Sequence, residues 1–194
     1  MILLVSNKIW ETRRAYVLAL WEIPLTCSIL GQEAAVSYHN EFCRDRQGTA
    51  IYIDGSGFLG YIGASAVCLQ TGKVQQKFLG TEAELTVYAA ELRGLQMALV
   101  TAASCQRQVA VFVDSQAAIK AAQNPGRSSG QFLLRQIYAV ACRYDLICRV
   151  GIYWIPAHIG VPGNERADEA AKEAVTDPHL RRRDSPVRLA AAAK

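Results

Sequence analysis

The chain has few of the residues that mark zinc-binding and disulfide-rich proteins. It contains three histidines among 194 residues, and no pair of its six cysteines has the spacing C-x-x-C. No cluster with zinc-ligand spacing is therefore present in the sequence. Most cysteines lie in apolar runs, which predicts buried free thiols in a reducing compartment rather than a disulfide framework. The cysteines are Cys27, Cys43, Cys68, Cys105, Cys142 and Cys148.

Long apolar runs are also missing. The longest one near the N-terminus, Ala15 to Trp21, is too short to span a bilayer. Arg13 and Arg14 precede it, but Glu22 and Pro24 follow without a small-residue cleavage site, which argues against a signal peptide. We therefore expect no membrane association and an intracellular location, in the nucleus or the cytoplasm.

The charge is nearly balanced, with a formal net charge of +4. Residues 50–175 carry eleven Lys/Arg against ten Asp/Glu, and residues 176–194 carry five against two. An acidic point inside a mildly basic surface suits a metal-dependent enzyme acting on a polyanion, although ordinary surface charge explains the same total. The expected division is a poorly defined connection segment at 1–49, one domain at 50–175 and a basic, flexible tail at 176–194.

From Ala50 onward, strand patterns and helix patterns alternate. Strands are predicted at Ala50 to Asp54, Tyr61 to Leu69, Val74 to Leu79, Val109 to Asp114 and Ile147 to Ile155. Helices are predicted at Lys8 to Leu20, Gly31 to Phe42, Glu82 to Ala103, Ser115 to Gln123, Phe132 to Tyr144 and Asn164 to Val175, with Asn164 as the N-cap of the last. A short turn makes the second and third strands a hairpin, and crossover helices make the later strands parallel. The predicted fold is α/β, with a five-stranded mixed sheet of three antiparallel strands and then two parallel strands, and with helices on both faces.

Four acids occupy positions where a buried carboxylate needs a partner or a function. Asp54 and Asp114 end apolar strands, Glu91 lies on the apolar side of a helix, and Asp168 opens the last helix. Because ligand sites in such sheets lie beyond the carboxyl ends of the parallel strands, Asp54 and Asp114 are predicted to meet there. Carboxylates at one point repel one another unless cations lie between them. Hard oxygen ligands select Mg²⁺ or Mn²⁺ over Zn²⁺.

Each of these acids also has an ordinary structural explanation. Asp54 would cap the following turn, Asp114 would cap the following helix, Glu91 would form a salt bridge at a helix edge, and Asp168 would complement a helix dipole. Taken singly, each acid is more readily explained in this way. The coincidence of all four favours a metal site in which two cations about 3.5–4 Å apart promote phosphoryl displacement.

Four segments, in this order, resemble the motif blocks of type one ribonuclease H: IYIDGSG, TVYAAELRGLQMAL, VFVDSQAAI and WIPAHIGVPGNERADEAAK. The resemblance extends over about Ala50 to Val175. The segments TVYAAELRGL and WIPAHIGVPGNERAD are most similar in sequence to ribonuclease H domains fused to reverse transcriptases of fungal non-LTR retrotransposons. The segment WEIPLTCSILGQEAAVSYHNEF resembles the connection that precedes such domains.

This resemblance implies a ribonuclease H-like fold and an endonuclease that hydrolyses the RNA strand of RNA–DNA hybrids. It implies two Mg²⁺ ions as cofactors, with Mn²⁺ as a substitute. By position, Asp54 would bridge both ions, Glu91 and Asp114 would complete the site on the leaving-group side, and Asp168 would hold the ion on the nucleophile side. His158, in the loop before the last helix, would assist proton transfer or product release.

The resemblance also implies substrate contacts and partners. The residues expected near the hybrid, where contacts to the 2′-hydroxyl distinguish RNA from DNA, are Gly55, Ser56, Ser115, Gln116, Asn164 and Glu165. Besides the hybrid, a reverse transcriptase is the expected partner, as a fused or neighbouring domain. The basic handle helix of many cellular relatives is absent, and only the loop Asn124 to Gln131 joins the two middle helices. An isolated chain is therefore expected to bind hybrids weakly.

Other functions remain compatible with these residues. One alternative is a catalytically weak or inactive nucleic-acid-binding domain with the same fold. Another is an interaction domain that uses residues 1–49 to dock on a partner. A third is an integrase-like nuclease, although its acid spacing is not expected to accompany the segment HIGVPGNERAD.

Overall fold

The computed structural model describes residues 4–5, 8–10, 24–45, 48–181 and 187–188. The strands are β1 (Leu4–Val5), β2 (Lys8–Trp10), β3 (Thr26–Ser28), β4 (Thr49–Phe58), β5 (Tyr61–Cys68), β6 (Lys73–Thr81), β7 (Val109–Val113), β8 (Val150–Trp154) and β9 (Val187–Arg188). The helices are α1 (Gln32–Arg44), α2 (Val87–Ala102), α3 (Gln116–Gln123), α4 (Gln131–Arg143), α5 (Pro162–Thr176) and α6 (Pro178–Arg181), with a 3₁₀ turn at Pro125–Arg127. No helix within these ranges combines the length and the apolar composition that a bilayer crossing requires.

The main sheet is mixed and has the order β3-β8-β7-β4-β5-β6. Strand β4 pairs antiparallel with β5 and parallel with β7, β5 pairs antiparallel with β6, and β8 pairs parallel with β7 and β3. All five predicted strands are present, which confirms the mixed α/β fold. The predicted strand number was one too low, because the three residues of β3 are too few to show a strand pattern.

A second, small sheet contains the terminal strands β1, β2 and β9. Strand β2 occupies Lys8–Trp10, so the helix predicted from Lys8 was wrong for these residues. The rest of that predicted helix lies outside the described residues. The division at residues 49/50 and 175/176 and the flexibility of the tail stay predictions.

Helix α2 begins later than predicted. The residues before it form a turn in which the amides of Glu84 and Leu85 donate to the Thr81 carbonyl. Thr86 is extended, and its side chain accepts a hydrogen bond from the Ala89 amide at 3.3 Å, which caps the helix. The helix predicted from Glu82 therefore begins at Val87.

The start of α5 also differs from the prediction. This helix begins at Pro162, where the fixed φ of proline suits the first helical position, and Val161 is its N-cap. Asn164 is thus the third helical residue and not the cap. Its side chain does not cap the helix and is therefore available for contacts with other elements.

Helices cover both faces of the main sheet, as predicted. Side chains alternate along β4, so that Ile51 and Ile53 pack with α2, α3 and α4 on one face. Ala50 and Tyr52 pack on the other face with α5, and the aromatic side chains of α1 adjoin them there. The predicted helix at Gly31 to Phe42 is confirmed as α1, which belongs to the same core as the domain that follows it.

All six cysteines are free thiols, but their predicted burial is only partly correct. Cys68 is buried, whereas Cys142 and Cys148 are exposed and the other three are intermediate. Cys142 lies at the end of α4, and Cys148 lies in the turn before β8.

Candidate active site

Three carboxylates meet at one end of the central strands. Strands β4 and β7 are parallel with Tyr52 opposite Phe112, so Asp54 and Asp114 lie two residues further along at the same edge. Glu91 approaches from α2, which packs over β4. One oxygen of each of Asp54, Glu91 and Asp114 lies within 4.8 Å of the other two. We call these three residues the carboxylate cluster.

A glycine allows α2 to approach β4 this closely. A Cβ atom on Gly55 would lie 2.6 Å from the Glu91 amide nitrogen and 2.8 Å from the Ala90 Cβ. Any larger residue would push α2, and with it the Glu91 carboxylate, away from Asp54. The structure thus gives Gly55 a packing function, and its predicted contact with substrate stays a prediction.

Asp168 lies beside the carboxylate cluster rather than within it. Its Oδ2 forms an ion pair with Lys172 Nζ at 2.6 Å, one helical turn further along α5. Its negative charge is near enough to raise the pKa of Asp54 and of Asp114. Ser65 fixes this part of α5, because its buried hydroxyl donates to the Ala167 carbonyl at 2.7 Å.

Two hydrogen bonds hold Asp114 in place. Asn164 Nδ2 donates to Asp114 Oδ2 at 3.3 Å, and Trp154 Nε1 donates to the Asp114 carbonyl at 3.0 Å. The hydroxyl of Ser115, not the carboxylate of Asp114, accepts from the Ala118 amide and caps α3. Asp114 is therefore not a helix cap. No local pattern in the sequence indicated this contact of Trp154.

His158 stands in the exposed loop between β8 and α5. Its backbone has φ of 55°, a left-handed conformation that histidine adopts more readily than most residues. Its charge lowers the pKa of the Asp114 carboxyl, so the imidazole lies near this acid. The predicted approach of His158 to the acids is thus compatible with the fold.

The other residues predicted to touch substrate are close in sequence to the four acids. Ser56 is buried beyond Asp54 in β4, and Ser115 is half-buried after β7. Gln116 in the first turn of α3 and Glu165 in the first turn of α5 are exposed. Their contact with substrate stays a prediction.

The environment raises the pKa of every acid in the carboxylate cluster. Burial, followed by the charges of Asp114 and Asp168, raises the pKa of Asp54 to about 7, and Lys172 opposes this shift. Burial and the neighbouring carboxylates hold the pKa of Glu91 well above its usual range. Burial also raises the pKa of Asp114, and the Asn164 hydrogen bond and the His158 charge oppose it. The protein alone does not favour full ionisation of the cluster.

The residues fit a divalent cation. Glu91 Oε2 and Asn164 Oδ1 are buried acceptors, and neither receives a hydrogen bond from any described residue. Buried acceptors without donors are costly, and a cation between carboxylates removes both this cost and their repulsion. The donor atoms are all oxygens, which Mg²⁺ and Mn²⁺ prefer.

Comparison with known proteins supports the fold. A foamy virus protease–reverse transcriptase, solved in complex with an RNA/DNA hybrid, has a similar fold, with a TM-score of 0.52 and 16% sequence identity. The similar region covers 64% of this chain and 19% of the viral chain, so the present chain spans a small part of that protein. The family model for RNase H matches residues 46–176, which is more than half of the sequence, and this range contains the four predicted acids. The chain therefore belongs to the RNase H family.

Proposed function

We propose that this protein is an endonuclease that hydrolyses the RNA strand of RNA–DNA hybrids. It would use two Mg²⁺ ions, for which Mn²⁺ could substitute. The carboxylate cluster carries the proposal, because three acids within 4.8 Å of one another, two of them buried, and a Glu91 oxygen that receives no hydrogen bond from a described residue favour a bound cation. The hybrid bound to the foamy virus protein supports this class of substrate.

In this mechanism Asp54, Glu91 and Asp114 would hold one cation, and Asp54 and Asp168 would hold the other. When bound, the cations would polarise the scissile phosphate and the attacking water and neutralise charge on the leaving oxygen. Asn164 keeps the Asp114 carboxylate oriented. Lys172 occupies only Oδ2 of Asp168, which leaves Oδ1 as a ligand atom.

His158 would complete the reaction by moving a proton. The residue is exposed and its charge acts on Asp114, so a leaving oxygen or a departing product on that side of the site would be near the imidazole. Histidine suits this task because its ordinary pKa lies near neutrality.

Recognition of the hybrid would come from the rim of the site. Ser115, Gln116 and Glu165 offer hydroxyl, amide and carboxylate groups that suit contact with a 2′-hydroxyl. The connection between α3 and α4 is a 3₁₀ turn, Pro125–Arg127, with no inserted helix. The chain would therefore bind hybrid weakly unless a fused or neighbouring reverse transcriptase contributed further contacts to the hybrid. We infer an intracellular setting, in nucleus or cytoplasm, and an origin in a retrotransposon of the fungal non-LTR type.

The test is cleavage of a uniformly labelled RNA–DNA hybrid in Mg²⁺, Mn²⁺ or EDTA, with double-stranded DNA and double-stranded RNA as control substrates. We expect metal-dependent cutting of the RNA strand of the hybrid, abolished by Asp168→Asn and by Asp54→Asn. Glu169→Gln is the matched control, because Glu169 is an exposed acid next to Asp168 on α5. A folded wild type that cuts nothing in either metal would refute the proposal.

The second candidate is a nucleic-acid-binding or interaction domain with weak activity or none. The Lys172–Asp168 ion pair favours it, because a lysine amine already neutralises the acid that would hold the second cation. Thermal stabilisation by Mg²⁺ together with hybrid binding at low salt, but without cleavage, would support this candidate.

A further inference from the structure

A second group of reactive side chains lies on the other face of the sheet, between α1 and β4. His39 Nε2 lies 2.8 Å from the Tyr52 hydroxyl and 3.5 Å from Cys43 Sγ, and the Tyr52 hydroxyl lies 3.5 Å from the same sulfur. His39 Nδ1 lies 3.1 Å from Asn40 Oδ1. His39 and Tyr52 are buried, whereas Cys43 is partly exposed. We call these four residues the Cys43 cluster.

The Asn40 contact determines which nitrogen of His39 carries the proton. An amide oxygen can only accept, so His39 Nδ1 must donate to Asn40 Oδ1. In the neutral ring the single lone pair of Nε2 then accepts either from the Tyr52 hydroxyl or from the Cys43 thiol. A cysteine whose thiol faces the basic nitrogen of an oriented histidine has the arrangement of an activated nucleophile.

The electrostatics agree with the geometry. Burial alone would raise the pKa of the Cys43 thiol, but hydrogen bonds from His39 and Tyr52, together with the His39 charge, lower it overall. The hydrogen bond to Cys43 correspondingly raises the pKa of His39, against the effect of burial. Both shifts favour a thiolate beside an imidazolium, and the thiolate is the reactive form of cysteine.

Cys43 lines an open cleft whose wall includes one cationic side chain, Arg107. The cleft has a volume of about 550 Å³ and is lined by Cys43, Gly48, Thr49, Gln70 and Arg107. A neighbouring cleft of about 450 Å³ shares Thr49 and Arg107 and extends to Lys73. A group attached to Cys43 Sγ would therefore have space, and its carboxylates would meet two cationic side chains. Neither cleft includes a residue of the carboxylate cluster.

We propose that Cys43 is a modification site that forms a mixed disulfide with a small thiol bearing carboxylates. The Cys43 thiolate attacks one sulfur of a low-molecular-weight disulfide, the sulfur–sulfur bond of that disulfide breaks, and a new bond joins Cys43 to the attacked sulfur. The other half leaves as a thiolate and takes the proton that His39 received from Cys43. The small disulfide is the oxidant, so no further co-reactant is needed. This proposal does not depend on nuclease activity.

The experiment exposes the folded full chain to oxidised glutathione at neutral pH and follows each cysteine by peptide mass spectrometry. Cys142 and Cys148 are internal controls, because both are more exposed than Cys43. We expect Cys43 to be modified about tenfold faster than either control. Equal or slower modification of Cys43 in the folded wild type would overturn the proposal.

Two further experiments test the role of His39 and the role of the cationic side chains separately. Asn40→Ala changes an exposed side chain, leaves Cys43 in place and releases His39 Nδ1, so the rate at Cys43 should fall severalfold while Cys142 is unaffected. No change in this variant would show that His39 does not activate the thiol. The neutral hydroxyethyl disulfide should show a smaller preference for Cys43, as should Arg107→Gln with oxidised glutathione. Retention of the full preference in both would refute the role of the cationic clefts.

Discussion

Replacement of Asp54 by asparagine should stabilise the metal-free protein at alkaline pH and remove its response to metal. Asp54 is 8% exposed, and its pKa is raised from 3.8 to about 7, chiefly by burial and then by the charges of Asp114 and Asp168. A pKa that is higher in the folded than in the unfolded chain means that the protonated acid favours folding. This stabilisation is complete below about pH 4 and is lost as the pH rises through 7.

The magnitude follows from the size of the shift. Each pKa unit corresponds to about 1.4 kcal/mol, so ionised Asp54 lowers the free energy of unfolding by up to about 4 kcal/mol at pH 8. Asparagine has nearly the same shape and carries no charge at any pH. Asp54→Asn should therefore be more stable than wild type at pH 8 by a few kcal/mol, which is about 10 °C in Tm for a chain of this size. Near pH 4 the two proteins should be nearly equal.

The assay is urea unfolding followed by circular dichroism in EDTA, repeated between pH 4 and pH 8. Addition of Mg²⁺ at pH 8 should raise the stability of wild type and leave Asp54→Asn unchanged. Glu169→Gln, which removes an exposed acid from the same protein, controls for the general change in charge. A stability difference between wild type and Asp54→Asn that does not vary with pH would refute the reasoning. So would an equal response of both proteins to Mg²⁺.

Three further changes test other parts of the site. His158→Asn keeps a residue that tolerates positive φ, and it should slow hybrid cleavage about hundredfold with unchanged thermal unfolding; normal cleavage rates would exclude proton transfer by His158. Gly55→Ala should lower the free energy of unfolding by about 2 kcal/mol or more and weaken stabilisation by Mg²⁺, because the new Cβ would press on the Glu91 amide. Unchanged urea midpoints would contradict this prediction. Asn164→Ala should release the Asp114 carboxylate and raise the Mg²⁺ concentration needed for half-maximal cleavage about tenfold, and an unaltered metal titration would show that Asn164 does not orient the acid.

The sequence predicted the carboxylate cluster because simple geometry governs it. Asp54 and Asp114 follow apolar strands, and parallel strands deliver their ends to one edge of the sheet. Glu91 lies on the apolar side of α2, which must face the sheet. Asp168 was predicted to join these acids, but it lies beside the cluster and forms an ion pair with Lys172. The spacing of four residues between them was visible in the sequence, but whether such a pair forms depends on the surrounding packing.

Other features depended on contacts that a local pattern does not contain. Glu82 to Leu85 are compatible with a helix. However, the turn that is bonded to the Thr81 carbonyl and the cap formed by Thr86 place the start of α2 at Val87. Strand β3 exists because Thr26–Ser28 align with Gly151–Tyr153 of β8, and nothing within the three residues themselves indicates a strand. The Cys43 cluster combines the end of α1 with the middle of β4, and the sequence gives no sign of that proximity.

Strand β3 has a consequence for association between copies of the chain. An unpaired strand edge is a template for intermolecular pairing and aggregation. Because β3 pairs with β8, the main sheet ends on a strand of only three residues, which offers few free amides and carbonyls. The opposite edge, β6, carries Lys73 and Lys77, and the Gln76 side chain bonds it to the Ala170 carbonyl of α5. A chain that lacked β3 would expose the apolar strand β8 as a longer edge and should aggregate more readily at high concentration.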